Sequence, residues 1–176
     1  MNYSEIKYND IANGEGVRTS LFVSGCRHHC RNCFNEVTWD FGNGELFTEA
    51  TMEMIFESVD HPWINGISLL GGEPFEPENQ KVLVPFLIMF HERFPDKDVW
   101  CYTGFNIEEI LGKSEPKSRA YTDYSQEMLS HIDVLVDGRF VESLKSITLK
   151  FRGSSNQRVI DVKKSLAEKK IILYLE

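Results

Sequence analysis

Three cysteines fall within eight residues, Cys26-Arg-His-His-Cys30-Arg-Asn-Cys33, directly after the apolar run Thr19-Ser-Leu-Phe-Val-Ser24. The run reads as a short buried strand, so the thiols sit at its carboxyl end on one tight loop. Iron–sulfur clusters are held by cysteine thiolates, and three on one loop can take three corners of a cubane while the fourth iron stays open. An open coordination position is where a substrate binds, whereas structural metal sites are normally closed by four ligands. The alternative is a structural zinc site completed by Cys101, His28 or His29. It fits poorly, because zinc ligands usually come as two close pairs and no second pair is present. Cys101 lies far off in a predicted strand, where an unpaired thiol acts as a small buried apolar group. Such spacing suits metal binding in a reducing compartment better than disulfide pairing.

Strand and helix signals alternate along the rest of the chain. After the turn at Gly42-Asn-Gly44, a helix is predicted from near Thr48, with Met52, Ile55, Phe56 and Val59 along one face. Ile67-Ser-Leu-Leu70 reads as a second strand closed by Gly71-Gly72-Glu73-Pro74. An amphipathic helix follows, marked by Leu83, Phe86, Leu87, Phe90 and Phe94 in spite of Pro85. Val99 to Thr103 forms a third strand before Gly104 and a short helix, and Lys113 to Tyr124 reads as a surface loop. A fourth strand, Ile132 to Val136, ends in Asp137-Gly138.

Strands alternating with helices imply right-handed parallel crossovers, and too few units are present to close an eight-stranded barrel. The expected fold class is α/β, one domain over 1–176 built as an open partial (β/α) barrel. Segment 162–176 is a candidate edge strand or partner-facing piece. Chemistry in such folds gathers at the carboxyl ends of the strands, where the cysteine loop, the Gly-Gly-Glu-Pro turn, Gly104 and Asp137 are all predicted to lie.

Charge narrows the partners. Lys plus Arg number 19 against 27 Asp plus Glu, a net charge of −8 that repels phosphate backbones, so nucleic acid is not expected. No membrane-length apolar run and no signal-peptide pattern occurs, and the expected location is the cytoplasm.

The C-x3-C-x2-C loop after the first strand, with Gly71-Gly72-Glu73-Pro74 after the second, resembles the paired motifs of the radical S-adenosylmethionine (SAM) superfamily. One departure is Asn32, which stands before the third cysteine where many members carry an aromatic residue; Phe34 follows it instead. Further stretches narrow the likeness: Asn13-Gly-Glu-Gly16-Val-Arg18, Tyr102-Thr-Gly104, Val134 to Phe140 and Arg152-Gly-Ser-Ser-Asn-Gln157. Together they resemble the activating proteins of anaerobic (class III) ribonucleotide reductases. Activators of pyruvate formate-lyase share the cysteine spacing but are longer and lack the Arg-Gly-Ser-Ser-Asn-Gln stretch.

The resemblance implies one 4Fe-4S cluster on Cys26, Cys30 and Cys33, which act in catalysis through it. It implies SAM as cosubstrate, held by Gly71, Gly72 and Glu73, with the Glu73 carboxylate facing the SAM ammonium and the glycines permitting close approach. Asn32, Cys33 and Phe34 are expected to line the same pocket, Phe34 either against the adenine or packed under the loop. Asp137 and Arg139 either reach the ribose or carboxylate of SAM or pair with each other on the rim. The implied partners are the large subunit of the reductase, which receives a glycyl radical, and a flavodoxin-like electron donor. His28 and His29 are able to donate hydrogen bonds toward a cluster, the simpler expectation being that both are solvent-exposed loop residues.

Overall fold

The computed structural model describes residues 1–175. Eight strands form one mixed sheet, and its four central members are the parallel strands expected from the sequence. These are β2 (Val17–Val23), β4 (Ile64–Gly71), β5 (Asp98–Tyr102) and β6 (Val134–Asp137). The sheet order is β3-β1-β2-β4-β5-β6-β7-β8, with β1 (Asn2–Asp10) and β3 (Glu45–Leu46) added antiparallel on one side. On the other side β7 (Arg158–Asp161) and β8 (Leu173–Leu175) are also antiparallel. The sheet is therefore open, with an all-parallel centre and antiparallel flanks.

Helices supply the crossovers. Helix α1 (Glu49–Val59) starts at Thr48, whose hydroxyl accepts from the Thr51 amide while the Thr51 side chain answers the Thr48 amide. That reciprocal cap satisfies donors left open at a helix start. Helix α2 (Pro77–Arg93) runs straight through Pro85. Pro85 and Lys81 both lie on the exposed face, so the Lys81 carbonyl that loses its amide partner can turn to water. Short helices α3 (Ile107–Ile110) and α4 (Ser125–Ser130) lead into β6, and α5 (Val162–Glu168) follows β7.

Alternation along the strands divides the molecule into two faces. Leu21, Val23, Ile67, Leu69, Val99, Cys101 and Leu135 pack with the phenylalanines of α1 and α2 in the main core. The opposite face carries Trp100, Val134, Val136 and Val159, with Tyr102 and Phe151 against them. It also carries buried polar residues. Arg18 is fully buried and donates to Ser68 Oγ at 2.8 Å, to the Ile67 carbonyl at 2.7 Å and to the Asp98 carboxylate. A face on which a buried cation and the Ser20 and Ser68 hydroxyls are matched with partners is a face that can line a polar site.

Strand β1 was not among the strands expected from the sequence. Only Tyr3 and Asp10 of its nine residues are buried. The rest of the strand is partly or fully exposed and polar in composition, which hides it from a hydropathy reading. No helix among the described residues is long and apolar enough to cross a membrane.

Candidate functional site

Because β2, β4, β5 and β6 are parallel, the loops after them open on one edge of the sheet. That edge holds a cavity of about 460 Å³. Cys26, Cys30 and Cys33 line it together with Gly71, Gly72, Glu73, Thr103, Gly104 and Gly138. Four turns predicted separately from sequence thus meet in one wall.

The cysteine loop is held from several sides. The Gly25 and Cys26 amides donate to the carbonyls of Thr38 and Trp39 at 2.8 and 3.2 Å. Gly25 has φ +97°, and a Cβ there would stand 2.3 Å from the Phe41 ring, so only glycine fits. Arg27 anchors the loop to α2: its main-chain amide and guanidinium donate to Glu76 at 2.8 and 2.6 Å, and the guanidinium lies 4.3 Å over Phe41. Glu76 is fully buried and also accepts from Arg119 at 3.1 Å, so one carboxylate answers two guanidinium groups.

All four cysteines are free. Burial pushes the Cys26 thiol up to about 12, and burial followed by the nearby Cys33 raises Cys30 as well. Ligand thiols must give up their protons, so metal capture at this loop releases them. Cys101 is fully buried in β5 among the main-core residues and is absent from the cavity wall. Among the described residues, no three His, Cys, Asp or Glu side chains converge closely enough to hold a single ion. His28, weighed from the sequence as a zinc ligand, is held through a hydrogen bond at its Nε2.

That engagement involves Glu73. Its carboxylate is 1% exposed and accepts four hydrogen bonds. The Phe75 amide at 2.9 Å and the Thr103 hydroxyl at 2.8 Å reach Oε1, and the Gly104 amide at 2.7 Å and His28 Nε2 at 2.9 Å reach Oε2. One side chain therefore ties together the loops after β2, β4 and β5. His28 is 3% exposed at its side chain, whereas the sequence suggested an exposed loop histidine. His29 lies 4.4 Å from the Trp39 ring, outside the cavity wall.

Phe34 is 86% exposed on the cavity wall and does not pack under the loop, which leaves its face free for a ligand. Asn32 also lines the cavity and donates to the Glu142 carboxylate. Asp137 is fully buried and engaged by the Ile107 amide at 2.8 Å and by Arg158 Nε at 2.9 Å; neither it nor the exposed Arg139 is part of the wall. The Asp137 ion pair is thus with Arg158 rather than Arg139, and Arg158 forks on to Glu108.

Residues that the sequence reading did not place in the pocket complete the wall. Gln157 accepts from the Gly153 and Ser154 amides at 2.9 and 3.1 Å and donates to the Gly138 carbonyl at 3.0 Å. The Arg-Gly-Ser-Ser-Asn-Gln stretch is therefore a self-bonded loop clamped against the end of β6, and Arg152, Gly153 and Gln157 face the cavity. Tyr102 also lines it, with a buried hydroxyl that lacks a partner among the described residues. In the sequence this stretch was marked by its family resemblance and by short polar turn residues, neither of which placed it in the pocket.

An α/β sheet with three cysteines on one loop at its carboxyl edge defines a class: an iron–sulfur domain with a ligand cavity beside the cluster loop. In keeping with this, residues 12–160 match the family model described as a 4Fe-4S single cluster domain. The chain is 38% identical over 159 residues to the anaerobic ribonucleoside-triphosphate reductase-activating protein of Haemophilus influenzae, covering 89% of this chain and 96% of that one. The protein of the same name from Enterobacteria phage T4 is 37% identical, with 90% and 93% covered. That from Escherichia coli K12 is 38% identical, with 90% and 97% covered. The chain belongs to the family of anaerobic ribonucleoside-triphosphate reductase-activating proteins.

Proposed function

We propose that this protein activates an anaerobic ribonucleotide reductase, as a single radical SAM domain over 1–176 whose central strands form a partial (β/α) barrel. The observation that carries the proposal is the meeting of the three-cysteine loop and the Gly71-Gly72-Glu73 turn on one cavity. Cys26, Cys30 and Cys33 would hold a 4Fe-4S cluster, and the donor set leaves one iron without a protein ligand. When bound, the cluster supplies the electron that splits SAM into methionine and a 5′-deoxyadenosyl radical, which takes a hydrogen atom from a backbone glycine of the reductase.

The chain's own residues prepare that chemistry. Gly71 and Gly72 bring bare main chain to the cavity, with no side chain to hold a ligand off. A Cβ on Gly72 would stand 2.6 Å from the Gly25 carbonyl, so the turn and the cysteine loop are pressed together. Phe34 offers an aromatic face at the mouth, where an adenine can stack. Leu70, Phe140 and Phe151 add apolar wall that keeps water from a reactive radical. Glycine suits the receiving end, because a residue without a side chain can be approached closely and can hold a planar radical. A flavodoxin-like protein is the proposed electron donor, and the free thiols suit the reducing cytoplasm.

The test is anaerobic reconstitution with iron and sulfide, then reduction with SAM present and an assay for 5′-deoxyadenosine with and without the reductase. Cleavage accompanied by a glycyl-radical signal on the reductase is expected. SAM cleavage without that signal would favour another small radical SAM enzyme, and a colourless zinc protein inert to SAM would end the proposal.

A further inference from the structure

The mouth of the cavity carries features that a small ligand inside it does not explain. Among the described residues, the three most exposed large apolar side chains are Ile147 at 95%, Phe34 at 86% and Ile11 at 74%. Lone apolar side chains on a surface are ordinary, but these three converge. Phe34 lines the cavity, Ile11 precedes the wall residues Ala12 and Asn13, and Ile147 stands between the wall residues Lys145 and Leu149. Ile11 and Ile147 themselves lie outside the wall, so a small molecule held in the cavity leaves them in water.

Both are presented by tied segments. Asp10 is buried and accepts from the Ala12 amide at 2.9 Å, the Asn13 side chain at 2.6 Å and the Ser20 hydroxyl at 2.6 Å, which fixes the turn bearing Ile11. Ile147 tips a projection whose arms join at Lys145 and Ser154, with the Ser155 amide donating to the Leu144 carbonyl at 2.9 Å and the Ser146 amide to the Gly153 carbonyl at 3.3 Å. The two segments share a floor: a Cβ on Gly14 would stand 2.9 Å from Trp100, and Trp100 packs edge-on against Phe151 with centroids 5.1 Å apart. The projection is also basic. Residues 139–152 hold Arg139, Lys145, Lys150 and Arg152 against Glu142 alone, in a chain whose net charge is −8. Glu142 is turned to Arg31 and Asn32.

We infer that Ile11 and Ile147 are the apolar anchors on which the large subunit of the reductase docks, and that the basic projection meets an acidic stretch beside the glycine it presents. This rests on the function proposed above. A radical made in the cavity takes hydrogen only from a Cα that reaches van der Waals contact, so the glycine-bearing partner has to cover the mouth, where Ile11 and Ile147 stand. Fixed apolar anchors within a charged rim suit such a partner: burial supplies affinity, and charge steers the encounter.

The experiment measures binding of the anaerobically reconstituted activator to the purified large subunit, for wild type, Ile11→Ser, Ile147→Ser and Met54→Ser. Met54 is half-exposed on α1, on the helix-covered side of the sheet, and controls for loss of apolar surface in general. Each isoleucine variant should weaken binding about tenfold, the scale of a truncated interface anchor, while Met54→Ser binds as wild type. Iron content should be unchanged in all three, and its loss in either isoleucine variant would overturn the assignment, because that side chain would then serve the fold. Lys150→Glu should slow association at low salt and lose that defect at high salt; an unchanged rate would remove the acidic stretch from the partner. Wild-type affinity in both isoleucine variants, or an equal loss in Met54→Ser, would also overturn the docking surface. So would a wild-type dimer that Ile147→Ser dissociates with reductase binding intact, since a second copy would then cover the mouth. If the isoleucine variants bind weakly but wild-type protein raises no glycyl radical on the reductase, the proposed function fails and the docking surface stands. If they bind normally while wild type raises the radical, the docking surface alone fails. A wild-type protein that does not bind the large subunit overturns both.

Discussion

After anaerobic reconstitution, Cys26→Ala, Cys30→Ala and Cys33→Ala are each expected to retain almost no iron or sulfide, while Cys101→Ala keeps the wild-type content. The three thiols line one cavity, and a cubane with only two protein thiolates loses a third of its protein ligation. Cys101 is fully buried on the helix-covered face of β5, so its removal trims core packing only. The structural cost of Cys101→Ala should stay near that of a small cavity, about 1 kcal/mol. Iron and acid-labile sulfide per chain decide the matter. A normal iron content in any of the first three variants would remove that residue from the ligand set.

A second large effect is expected at Glu73, measured as urea unfolding of the cluster-free protein. Glu73→Ala strips the partner from two main-chain amides, a threonine hydroxyl and His28 at once. Buried donors left unsatisfied cost roughly 1–3 kcal/mol each, partly relieved by water entering the cavity. A net loss of roughly 3 kcal/mol is a large share of the 5–15 kcal/mol by which domains are typically stable. Glu78→Ala provides the comparison, because Glu78 is half-exposed and its pairing with Arg27 is worth under about 1 kcal/mol. If both variants unfold at the same urea concentration, Glu73 is not the tie between the three loops. Viewed as a SAM contact alone, Glu73 would be dispensable for folding, so this result separates the two roles.

The central strands were readable because parallel strands buried on both faces must be short apolar runs, as Leu21-Phe-Val23 and Ile67-Ser-Leu-Leu70 are. The antiparallel flanks were harder. β1 buries only Tyr3 and Asp10 of its nine residues, β3 is only two residues long, and β7 follows the self-bonded loop. β8 lies in the C-terminal segment that was a candidate edge strand, and it pairs with β7. The site was legible where chemistry restricts residue type: thiols for iron, glycines for close approach.

Sequence by itself determined that three thiols share one loop after a strand, that a glycine-rich turn follows the next strand, and that glycine is needed at several bends. These are local properties, set by residue type and by a few neighbours along the chain. Tertiary structure alone decided what the buried charges face. Glu73 meets Thr103 and Gly104 across some thirty positions and His28 across 45, and Asp137 meets Arg158 across 21. A carboxylate in a motif looks the same in sequence whether it faces a ligand or its own fold. Only the sheet, by bringing the ends of parallel strands to one edge, settles which donors reach it first.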